Sequence, residues 1–76
     1  MPTLGEFIRV ARAYGYTKQT IRIRERQAKI VYLRRGRGDG ARLVDLPPVR
    51  ESERLTRAVV ESLCARAGIP REDFGL

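Results

Sequence analysis

The segment Thr20–Leu43, TIRIRERQAKIVYLRRGRGDGARL, constrains the fold more than any other part of the chain. Ile21 and Ile23 alternate with Arg22, Arg24 and Arg26, the period-two pattern of a strand with one wet, basic face. KIVYLRR is apolar at both phases, Ile30 and Tyr32 on one and Val31 and Leu33 on the other. That predicts a central strand covered on more than one side. ERQAK holds neither glycine nor proline, so the turn near Gln27 and Ala28 is expected to be loose. GRGDG, with Gly36, Gly38 and Gly40, reads as the next hairpin loop. ARLVDL is the third strand, stopped by Pro47 and Pro48. A strand rather than a helix N-terminus follows the glycine loop, so the P-loop mode of phosphate binding does not apply.

The flanks supply the cover for such a sheet. Thr3 followed by Glu6 is a capping box, and Leu4, Phe7, Ile8, Ala11 and Tyr14 recur at helical spacing. A first helix is expected over residues 4–14, ended by Gly15, with Tyr16 folded back on its last turn. Beyond the prolines, Ser52 is the expected N-cap of a second helix, with Glu51 and Glu53 near its positive end. Leu55, Val59, Val60, Leu63, Cys64 and Ala67 form its stripe, and Gly68 followed by Ile69 ends it. Pro70 opens a short turn in which Phe74 pins the tail. The expected fold class is α+β: α-β-β-β-α, a three-stranded antiparallel sheet with both helices packed on one face, the topology of a double-stranded-RNA-binding domain. Phe7, Ile8, Ile21, Ile23, Leu55, Val59 and Leu63 are expected to be buried together. Seventy-six residues allow one domain, residues 1–76, with one core and one site.

Charge is where the sequence speaks of function. The net charge is +7. Between Lys18 and Arg42 lie nine basic residues and two acids, whereas the rest of the chain holds seven of each. The whole excess therefore sits on one contiguous third. Fourteen of the sixteen cations are arginine, whose planar fork suits phosphate better than an ammonium does. Compositional bias explains arginine over lysine but not the polarisation. An anionic partner is the reading, with nucleic acid ahead of a membrane because no basic amphipathic helix is present. Arg22, Arg24, Arg26, Lys29, Arg34, Arg35 and Arg37 are the candidate nucleic-acid contacts. With Tyr32 the only aromatic among them, backbone contact is favoured over base readout.

Catalytic groups are sparse. There is no histidine, and Cys64, the only cysteine, lies on an apolar helix stripe where packing is its expected role. No set of ligands at metal spacing occurs, so no metal and no cofactor are expected. A lone cysteine, no signal-peptide pattern and no apolar run near the roughly 20 residues of a membrane span point to a cytoplasmic protein.

Three segments resemble the HicA (YcfA-type) family of small toxins: ARAYGY at residues 11–16, AKIVYLRRGRGDGARLVDLP at 28–47, and LTRAVVESLCARAGIPREDF at 55–74. The resemblance covers nearly the whole chain. It implies an RNA-binding fold, endoribonuclease cleavage of messenger RNA, and a HicB-type antitoxin as partner. The family's functional histidine, which follows a glycine two residues earlier, has no counterpart. Gln27-Ala28-Lys29 stands at that place, with Lys29 in the histidine's position. An unperturbed lysine is a poor general base at neutral pH, so RNA binding with slow cleavage or none is the expectation, as for a divergent or catalytically impaired member, and no catalytic residue is assigned. Two other classes of function fit the same residues. One is a basic RNA- or DNA-binding module unrelated to toxins; the other is a protein-interaction module whose basic ribbon docks on an acidic partner.

Overall fold

Thr3 begins the first helix as the capping box requires. In the computed structural model, which describes residues 1–76, its Oγ1 accepts from the Glu6 amide at 3.1 Å and contacts the Glu6 carboxylate at 3.2 Å. Helix α1 runs Leu4–Ala13 and buries Leu4, Phe7, Ile8 and Ala11. Gly15 then takes a left-handed φ of 89°, which a side chain would resist. Strands β1 (Thr17–Ile23), β2 (Ala28–Arg35) and β3 (Arg42–Asp45) follow, then helix α2 (Arg57–Ala67) and a closing 3-10 turn at Arg71–Phe74. The sheet is antiparallel in the order β1-β2-β3. The element order is the one the sequence predicts.

Fourteen residues form the core, and they come from both helices, from Leu33 and Val44 on facing strands, and from the connections Tyr16, Leu46, Leu55 and Ile69. Both helices therefore cover one face. The molecule measures 40 × 29 × 17 Å, the thickness of two layers, with nothing on the other side of the sheet. Phe74 pins the tail by stacking on Phe7 at 5.1 Å between ring centroids. Beside it, Tyr14 donates its hydroxyl to Asp73, and that bond pushes the Tyr14 phenol's pKa up.

Two expectations about β1 and β2 are overturned. Ile21 is 49% exposed and Ile23 is only half-buried, so neither belongs to the core. Tyr16 sets the phase. Its ring is buried and its hydroxyl donates to the Ala67 carbonyl at 2.6 Å. With a period of two, Lys18, Thr20 and Arg22 then share its side, and Ile21 and Ile23 fall on the opposite one. Arg22 and Arg24 are exposed as well, because the far half of the hairpin projects past the helices. β2 is the central strand, as predicted, but only one of its faces is covered: Ile30 is 42% exposed.

The second helix also starts later than Ser52. Thr56 is the N-cap, its hydroxyl accepting from the Val59 amide at 3.3 Å. The preceding residues serve α1 instead. The carbonyls of Glu53 and Glu51 accept from the Leu4 and Gly5 amides, both at 2.9 Å. First-turn amides have no partner within their own helix, and this turn supplies one. Gly5 permits the approach, since a Cβ there would lie 3.2 Å from the Glu51 carbonyl oxygen. Leu55 is buried, but one residue ahead of the cap rather than within the helix. Val59 is half-buried at the edge of the core.

Candidate nucleic-acid interface

Six of the seven predicted contacts lie along the β1–β2 ribbon, not on one face, and Arg37 lies in the loop after β2. Arg22 and Lys29 are register partners, on the same side of the sheet as the helices. Arg24 and Arg26 occupy the turn between the strands, where Gln27 adopts a φ of 49°. Arg34 pairs with Thr17 and Leu43 on the open face. Arg35 turns inward: its guanidinium lies 4.9 Å from the Tyr16 ring centroid and donates to the Tyr14 carbonyl at 3.5 Å. That cation–π contact makes Arg35 a structural residue first. Arg37 enters the glycine loop. Along β2, six residues separate Lys29 from Arg35, about 20 Å of strand, so the charge forms two clusters at opposite ends of the ribbon.

No acid neutralises either cluster. The protein has two ion pairs, Lys18–Glu51 at 2.8 Å and Arg57–Glu61 at 3.1 Å, and neither uses a predicted contact. Arg42, the ninth cation of the basic segment, is placed against Gly68, with its guanidinium 2.8 Å from where a Cβ would stand. Gly68 itself takes a left-handed φ of 67° as the cap of α2, whose negative end favours a nearby cation.

Lys29 lines the largest cleft, about 540 Å³, between the start of α1, β2 and the segment Pro47–Glu51. Lys18, Glu51, Asp45 and Arg50 share it. Lys18 holds the Glu51 carboxyl below its ordinary pKa, chiefly by hydrogen bonding. Lys29 makes no side-chain hydrogen bond or ion pair. Cys64 is buried at the α2 face, which pushes its thiol's pKa up and leaves it poorly nucleophilic.

A second, wholly polar notch of about 490 Å³ sits at the other end of the ribbon, lined by Gly15, Thr17, Gln19, Arg34, Gly36 and Arg37. Thr17 and Gln19 are absent from the residues the charge pattern singles out. Their place follows from the phase that Tyr16 imposes, which puts them on Arg34's side. Also unforeseen is the apolar patch on the open face, where Ile21, Ile30 and Leu43 are 49%, 42% and 60% exposed. Apolar residues at both phases of β2 are the signal for it. No family model matches the chain, nor does any curated protein or solved structure.

Proposed function

We propose that the protein is a small RNA-binding protein of HicA-like type that holds its ligand through backbone phosphates. The observation that carries this reading is the ribbon of cations left without acidic partners. Charges that serve only the fold are ordinarily paired or scattered. Here Arg22, Arg24, Arg26 and Lys29 along one hairpin, and Arg37 in the loop after it, face solvent, with Arg34 half-buried beside them, while both ion pairs lie elsewhere. Cations clustered at opposite ends of a strand suit a polyanion rather than a single small anion. Lys29 acts as a phosphate contact and not as a proton carrier.

The test is titration of a fluorescent single-stranded RNA with the wild type and with a variant carrying Arg22→Ala, Arg24→Ala and Arg26→Ala. The triple variant weakens binding, whereas Arg66→Ala with Arg71→Ala, on the opposite region of the molecule, does not. Equal affinity for all three proteins contradicts the reading. Cleavage is tested separately by expressing the wild type and Lys29→Ala in growing cells and following messenger RNA. Equal growth and intact message for both are expected. Growth arrest that vanishes in Lys29→Ala would make Lys29 a catalytic residue.

A second reading rests on the open sheet face. Exposed Ile21, Ile30 and Leu43 beside a basic ribbon are suited to an acidic protein partner, the HicB-type antitoxin among them. A second copy of the chain is disfavoured there by the repulsion of two +7 molecules.

A further inference from the structure

Arg34 is the one residue whose side chain holds a buried polar nitrogen with no partner. Its Nε is shielded from solvent and donates to nothing. An unmade hydrogen bond from a buried charged group is costly, and a buried orphan donor of this kind calls for an acceptor that the protein itself does not supply. The surroundings of Arg34 fit one kind of acceptor. The notch it lines contains no acid and no apolar side chain; Thr17, Gln19 and Arg37 complete it, with Gly15 and Gly36 at its edge. Both glycines are left-handed, with φ of 89° and 88°, and neither brings a side chain into the notch. Gln19 is already oriented there, its amide donating to Thr17 Oγ1 at 3.0 Å. Two guanidinium groups and the Gln19 amide surround open space without a competing carboxylate, while the Thr17 hydroxyl donates to the Arg34 carbonyl at 3.4 Å.

We infer that the notch of Arg34, Arg37, Thr17 and Gln19 is a discrete phosphate-binding site, with the terminal N–H groups of Arg34 and Arg37 as its charged donors. The inference deepens the RNA-binding reading, since it makes this end of the ribbon the anchor for one phosphate group and leaves the distal arginines to a looser contact. Arg35 has no part in it, being engaged by Tyr16. The same chemistry admits a phosphate of an RNA chain or a free phosphate monoester. A guanidinium that offers its two terminal N–H groups together matches two oxygens of one phosphate, which an ammonium does not.

The site is tested by amide and arginine Nε–H NMR spectra of the whole protein during titration with inorganic phosphate, then with a single-stranded RNA decamer. Phosphate should shift the Arg34 Nε–H resonance and the amides of Thr17, Gln19, Gly36 and Arg37, and leave Arg22 and Arg24 unmoved. Arg34→Lys, which keeps the charge and loses the fork, should weaken phosphate binding about tenfold, as should Arg37→Ala, while Arg24→Ala has no effect. RNA that shifts the same notch signals identifies the chain phosphate as the natural occupant. Notch signals that respond to phosphate with no response anywhere to RNA would support the site and sink the RNA reading. RNA that moves only the distal ribbon, with the Arg34 resonance still under both titrants, would overturn the site and leave the RNA reading intact. Equal shifts at Arg24 and Arg34 with phosphate would also overturn it, since that is a diffuse ion atmosphere.

Discussion

Tyr16 links more of the structure than any other single residue. Its hydroxyl closes a buried hydrogen bond to Ala67 at the end of α2, its ring carries the Arg35 guanidinium, and its backbone amide returns to Ala11 of α1. Tyr16→Phe removes the hydroxyl and leaves the Ala67 carbonyl unpaired, at a cost of about 1–2 kcal/mol. Urea unfolding of the two proteins measures it, and a difference near zero would show that water replaces the bond. At Glu51 the expected effect is on titration. Lys18 lowers the folded carboxyl's pKa, so any stabilisation is present above the ordinary carboxylate range and fades as pH falls through the lowered value. Both partners are solvent-exposed, so salt screens the effect. Following the Glu51 side chain by NMR, Lys18→Ala should return its midpoint upward to the ordinary range; an unmoved midpoint would remove Lys18 as the cause.

At the scale of elements, the two helices and three strands were legible because each carries local punctuation. Thr3 with Glu6, the glycines at 15 and 68, and the proline pair after β3 all act within a few residues of themselves. What the sequence concealed depends on distant contacts. Thr56 rather than Ser52 caps α2 because the carbonyls of Glu51 and Glu53 are engaged by α1, which no local pattern reports. The faces of β1 are not set by its sequence, because alternation gives a period without a phase. Tyr16 fixes the phase through a residue 51 positions away. The basic ribbon was visible as charge, whereas the notch needed Thr17 and Gln19 to be assigned to the side of Arg34. These placements predict opposite responses on the two sheet faces. Leu33→Ala, at a wholly buried position, should cost about 3 kcal/mol. Ile21→Thr and Ile30→Thr, on the open face, should each stay within about 0.5 kcal/mol. Thermal unfolding of the three variants separates the cases, and an Ile21→Thr loss matching that of Leu33→Ala would return Ile21 to the core.

For the whole molecule, the design is a thin two-layer body from which a cationic hairpin projects. The core side is closed by α1, α2 and the Phe7–Phe74 stack. No helix is long and apolar enough to cross a membrane. The remaining surface presents a chain of unneutralised arginines, which we propose meet phosphates. Contact with a polyanion releases condensed counterions, so affinity falls with salt in proportion to the phosphates neutralised. The most direct measurement is the RNA dissociation constant at several salt concentrations. With about four to six cations engaged, the logarithm of affinity should fall against the logarithm of salt with a slope of about −3 to −5. Replacing Arg22, Arg24 and Arg26 with alanine should flatten that slope by roughly two to three. A wild-type slope near zero, or no binding at low salt, would contradict the account.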